Sequence, residues 1–68
     1  MKLEVNNEVL KVAVLQSRMT LADIASKARI NAGTISRLLN EVGRTCTLRT
    51  IQRLCDALNI EPTALAKI

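Results

Sequence analysis

Residues 20–40 read Thr20-Leu21-Ala22-Asp23-Ile24-Ala25-Ser26-Lys27-Ala28-Arg29-Ile30-Asn31-Ala32-Gly33-Thr34-Ile35-Ser36-Arg37-Leu38-Leu39-Asn40. Thr20 has the chemistry of a helix cap: its hydroxyl can accept an N–H of the turn that follows. Asp23, three residues on, stands in the reciprocal capping-box position. The run Leu21 to Ala28 then reads as a short helix with Ile24, Ala25 and Ala28 inward. Arg29 and Ile30 form a tight connection. Asn31 caps the next helix, Ala32 to about Asn40, whose inward face is Ile35, Leu38 and Leu39. Helices joined this closely cross steeply, at ~90–120°, and need a small side chain where their backbones approach. Ala25 supplies it.

Outward from this pair the pattern stays helical. Upstream, Met1-Lys2-Leu3-Glu4-Val5 alternates weakly and reads either as a short strand or as a loose arm over residues 1–6. Asn6 or Asn7 caps a first helix, with Glu8 favourable in its first turn. Leu10, Ala13, Val14 and Ser17 share one face of it, with Lys11 and Gln16 in solvent. Downstream comes a polar loop, Glu41 to Cys46, around Gly43. Thr47 caps a fourth helix whose stripe is Leu48, Ile51, Leu54, Cys55 and Leu58. Asn59 ends it in the left-handed conformation, and Pro62 suits the first turn of a short fifth helix carrying Leu65. The expected architecture is all-α: five short helices forming a single domain over residues 1–68, without repeats or linkers.

Sixty-eight residues make one domain at most, and so short a chain buries only about 60% of its unfolded surface. The core must be built from Leu, Ile, Val and Ala, because the chain has no Phe, Tyr or Trp. That absence counts against an RNA or single-strand binder, which stacks bases on aromatic rings. With no histidine there is no neutral-pH imidazole base and no His ligand for a metal. No carboxylates pair at a useful catalytic spacing either, so we expect no enzyme and no cofactor. Ten basic residues against six acidic leave +4, a mild bias towards polyanions. Cys46 and Cys55 are too few for a disulfide-built fold. On one continuous helix they would lie ~13 Å apart, too far to bridge. Free thiols, no apolar run near ~20 residues and no signal peptide point to the cytoplasm.

Ile24, Ala25, Ala28, Ile30, Ile35 and Leu38 together make the inward pattern of a DNA-binding helix-turn-helix. Here the sequence resembles the lambda-type repressor and Cro family, an XRE-like class of phage and bacterial regulators. Met19 to Ala25 looks like that family's second-helix opening, Ile30 to Leu38 like its recognition helix, and Thr47 to Ile60 like its fourth helix and following turn. The resemblance covers about residues 8–66. It implies a five-helix, lambda-repressor-like domain and a sequence-specific transcriptional regulator of double-stranded DNA. There are departures. Arg29 stands where the family usually has a left-handed Gly, a substitution costing roughly 1–2 kcal/mol. Val14 and Leu39 stand where many members have a buried Arg–Glu pair, so both are expected to be buried and in contact. Leu21 replaces a polar residue that often touches phosphate.

The resemblance also implies site residues. The third helix enters the major groove and reads bases through Ala32, Gly33, Thr34, Ser36 and Arg37, of which only Arg37 can pair bidentately with guanine. Asn31, Asn40, Arg44, Thr47 and Arg49 are candidates for backbone phosphates, with a solvated surface role as the plain alternative. Arg53 reads as solvated. The family binds as a two-fold dimer on a pseudo-palindromic operator, and the residues left for a weak homodimer here are Ile60, Leu65 and Ile68. The competing reading is a protein–protein module, such as an antitoxin or assembly partner, with weak DNA binding. Thin base-reading chemistry and Leu21 favour it; Arg37, Arg44 and Arg49 favour DNA.

Overall fold

The computed structural model describes residues 1–67. In chain order it contains β1 (Lys2–Val5), α1 (Asn7–Ser17), α2 (Leu21–Ala28), α3 (Ala32–Asn40), β2 (Thr45–Thr47), α4 (Leu48–Leu58), α5 (Pro62–Leu65) and β3 (Ala66–Lys67). The five helices are those of a small all-α helix-turn-helix domain, to which the three short strands add a minor sheet.

The first four helices begin where a side chain satisfies orphan amides, whereas α5 opens on Pro62 without a side-chain cap. Asn6 caps α1, its side chain accepting from the Val9 N–H at 3.3 Å. Thr20 and Asp23 form the full capping box at α2: Asp23 N–H donates to Thr20 Oγ1 at 3.1 Å, and Thr20 N–H donates to Asp23 Oδ2 at 3.4 Å. Asn31 caps α3 and Thr47 caps α4. Three helices end in left-handed residues that are not glycine: Arg18, Arg29 and Asn59, with φ of 57°, 58° and 59°. The Arg29 turn therefore keeps the conformation a glycine would take, at the cost of placing a Cβ there.

The N-terminal segment is a strand. β1 is the middle strand of a three-stranded sheet, order β2-β1-β3. It pairs antiparallel with β2 through Lys2–Thr47, Leu3–Cys46 and Glu4–Thr45, and with β3 through Glu4–Lys67 and Val5–Ala66. Alternation divides the sheet. Val5 and Ala66 are buried, Leu3 and Cys46 pack partly against the core, and Lys2, Thr45, Thr47 and Lys67 are exposed. Lys67 Nζ bonds Glu4 Oε2 at 3.2 Å across the outer face.

The core is aliphatic: Leu10, Ile24, Ile35, Leu38, Ile51, Leu54 and Leu65 are essentially sealed. Several expectations are corrected here. Leu48 lies off the α4 stripe and is 41% exposed, because it occupies the first turn beside the sheet; Ala57 is buried instead. Val14 and Leu39 are half-buried rather than buried. They line one shallow apolar depression between α1 and α3. Leu65, expected at a dimer interface, has no exposed surface: α5 turns it into the monomer's own core. Ile60 is half-buried, and Ile68 lies outside the described residues. The cysteines do not share a helix, since Cys46 is on β2 and Cys55 on α4; both are free thiols.

Candidate nucleic-acid interface

The turn between α2 and α3 fixes the start of the third helix. Arg29 N–H reaches the carbonyls of Ala25 and Ser26, and Ile30 N–H donates to the Ala25 carbonyl at 3.0 Å. Asn31 then closes the first turn of α3, its side-chain oxygen accepting from Gly33 N–H at 2.7 Å. A Cβ on Gly33 would lie 3.0 Å from that same oxygen. The glycine thus serves the cap, and its bareness leaves backbone rather than a side chain at the helix tip.

Ile35 and Leu38 anchor α3 in the core, which turns the opposite face outward. Asn31, Ala32, Gly33 and Arg37 are exposed, and Thr34 and Ser36 are half-buried. The five residues assigned to bases therefore lie on and beside one outward face. Among the described residues no carboxylate pairs with Arg37, so its guanidinium is available for the N7 and O6 of a guanine. Ser36 is partly engaged: its Oγ accepts from Asn40 Nδ2 at 3.3 Å. The same bond ties Asn40 back onto its own helix.

The α3–α4 connection is held by the sheet rather than left as a free loop. Val5 N–H donates to the Arg44 carbonyl at 2.9 Å, and β2 follows at once. Gly43 takes φ 81° at the turn, where glycine alone is unstrained. Thr47 Oγ1 accepts from Thr50 N–H at 3.3 Å and lies 3.1 Å from Thr50 Oγ1. Its hydroxyl is thus used as a cap, which leaves the α4 N-terminus as the local positive pole. Arg49 is exposed beside it. Arg44 differs from expectation in one respect: its Nη1 lies 2.8 Å from Glu41 Oε1. Glu41, which the sequence marks only as the start of the polar loop, stands three residues before it.

Lys2 was also missed. Its register partner is Thr47, and residues directly opposite in an antiparallel pair share a sheet face. The first strand thereby brings a lysine opposite Thr47, the N-cap of α4. No local sequence signal places residue 2 beside residue 47; only the weak alternation of residues 1–5 hinted at a strand.

Two thiols stand behind this surface. Burial pushes the Cys46 thiol above its ordinary value. Cys55 is pushed up to about 11, first by burial and then by Asp56, Glu61 and Cys46. Neither is therefore a thiolate near neutral pH. Among the described residues no group of His, Cys, Asp or Glu is arranged to hold a metal, and no helix is long and apolar enough to cross a membrane.

Comparison with known proteins agrees with this geometry. No curated protein and no solved structure matches the chain. A family model, the Cro/C1-type HTH DNA-binding domain, matches residues 9–68. That span takes in α1 from Val9, the α2–turn–α3 unit, β2 and α4; β1 lies outside it. With the capped turn, the outward third helix and a match over nearly its whole length, the chain belongs to the Cro/C1-type helix-turn-helix DNA-binding domain family.

Proposed function

We propose that the chain is a Cro- or repressor-like transcriptional regulator, acting in the cytoplasm as a single DNA-binding domain and not as an enzyme. It reads double-stranded DNA with α3 in the major groove. Arg37 supplies the strongest base contact, with Ala32, Gly33, Thr34 and Ser36 against neighbouring base edges. Asn31, Asn40, Arg44, Thr47 and Arg49 hold the phosphates, and Lys2 joins them from β1. Two copies bind a pseudo-palindromic operator, since one short helix reads too few base pairs for genomic specificity.

The observation that carries this reading is the α3 face itself: an exposed N-terminal turn followed by an arginine with no intramolecular carboxylate among the described residues. Selection of bound duplexes from a random library, followed by a salt titration of the winner, tests it. The expected result is a consensus of inverted half-sites ~34 Å apart. Log affinity should fall against log salt with a slope of about −0.9 per phosphate held. A pool no better bound than random duplex overturns it.

A second reading, a protein–protein module such as an antitoxin with weak DNA binding, is favoured by one feature. Arg44, one of the few cations in the candidate phosphate set, is already paired with Glu41.

A further inference from the structure

The outer face of α1 carries two exposed aliphatic side chains, Val12 and Leu15, among the polar Glu8, Lys11 and Gln16. Val12 and Leu15 are 52% and 77% exposed. With Glu8 they run at i, i+4 and i+7, one ridge along the helix. Scattered exposed aliphatics are ordinary, but this ridge is flanked on both sides. One flank is a shallow depression of about 350 Å³ whose lining includes Val9, Ala13, Ile60 and Ala64. The other, of about 290 Å³, is lined by Val14, Leu15 and Leu39, with Lys11 and Asn40 at its polar edge.

We infer that this face binds a second copy of the same chain, α1 against α1, antiparallel about a two-fold axis. An aliphatic pair, Val12 and Leu15, set between two largely apolar grooves is self-complementary, as a two-fold interface requires: the pair on each copy enters a groove of the other. The charges fix the direction. Glu8 lies in the first turn of α1 and Arg18 is its C-cap. Both are exposed, and neither is ion-paired among the described residues. Antiparallel packing with Val12 and Leu15 straddling the axis brings Glu8 of one copy to Arg18 of the other, twice. Parallel packing would set like charges side by side. The helix dipoles also oppose favourably in the antiparallel arrangement. Ile60, assigned from the sequence to an interface, stays in it through the first groove, whereas Leu65 is replaced by Val12 and Leu15. The inference rests on the dimeric part of the function proposed above and names its surface.

Sedimentation velocity on the full chain, across a wide concentration range at low salt, tests it. A reversible monomer–dimer equilibrium is expected. Leu15→Glu should raise the dimer dissociation constant about tenfold or more, equivalent to ~1.4 kcal/mol. Glu8→Arg and Arg18→Glu should each weaken self-association, yet an equimolar mixture of the two should form a heterodimer as tight as the parent. The double variant should dimerise normally. Unchanged helical circular dichroism confirms that each variant is folded. A chain that stays monomeric throughout overturns the inference and leaves the face to a helix from another protein. So does a dimer indifferent to Leu15→Glu, or charge variants that fail to recover on mixing. The duplex selection separates the two proposals. A dimer with this signature and no selected duplex sinks the DNA reading alone, while a selected duplex bound by independent monomers sinks this one alone.

Discussion

Arg44 Nη1 donates to Glu41 Oε1 at 2.8 Å, and both side chains are at least 40% exposed. An exposed pair of this kind is worth ~0–1 kcal/mol, so a phosphate can take the guanidinium from the carboxylate. Glu41→Gln removes both the competitor and a nearby negative charge. Fluorescence anisotropy should show affinity for any duplex rising about two- to fivefold, the equivalent of up to ~1 kcal/mol. Arg44→Ala should weaken specific and random duplexes alike and reduce the salt slope by about one. A Glu41→Gln protein with unchanged affinity would remove Arg44 from the phosphate set.

Arg37 and Lys2 should separate by kind of effect. Arg37→Ala should cost ~1–3 kcal/mol on the selected duplex and relax preference at one position per half-site. Lys2→Ala should lower affinity evenly across sequences, with a slope about one unit shallower. Equal losses on selected and random DNA for Arg37→Ala would take it off the base-reading helix face.

Arg29 tests the turn. Its φ of 58° lies where glycine pays no steric cost. Arg29→Gly should stabilise the domain by roughly 1 kcal/mol, the left-handed penalty less the added freedom of the unfolded glycine. A denaturant melt reads this directly, and a loss of stability would mean that the arginine side chain contributes contacts outweighing its strain.

Val14 and Leu39 line one depression but keep partial exposure. A carboxylate at residue 39 therefore stays partly hydrated, and Leu39→Glu should cost about 1–2 kcal/mol rather than unfold the domain. Val14→Arg in the same chain should recover part of it. A double variant no more stable than Leu39→Glu alone would show that the two side chains do not interact.

Cys55 gives a pH signature. The folded chain holds this proton up to about pH 11, above the ordinary 9.0 of the unfolded thiol. Its contribution is therefore complete below pH 9 and lost as pH rises from 9 through 11. Chemical denaturation across that window should show this decline in the parent and a smaller one in Cys55→Ala. At pH 8 a thiol reagent should modify half-buried Cys46 well before buried Cys55.

What was legible in the sequence follows the range of the interactions. Thr20 with Asp23, Asn31, Thr47 and Asn59 act within one helical turn, so these helix starts and the left-handed end at Asn59 could be read from residue type alone, whereas nothing in an arginine marks the left-handed ends at Arg18 and Arg29. The candidate base-facing set is implied by the family resemblance, and it lies on and beside the face opposite Ile35 and Leu38. The sheet could not be read this way. Leu3 meets Cys46 and Val5 meets Ala66, partners about forty and sixty positions away, in strands too short for period-two patterning to stand out. Lys2 and the anchoring of the α3–α4 connection were hidden for that reason. Leu65 was misassigned because a four-residue helix shows no periodicity from which to tell its inner face.

β1 joins segments that lie far apart along the chain: residues 45–47 on one side and residues 66–67 on the other. The helices can form locally in microseconds, but each side of the sheet waits for the closure of a long loop. The α3–α4 turn is clasped by that same strand through Val5 and Arg44. In refolding, α3 can therefore form before the connection that carries the proposed phosphate contacts becomes rigid.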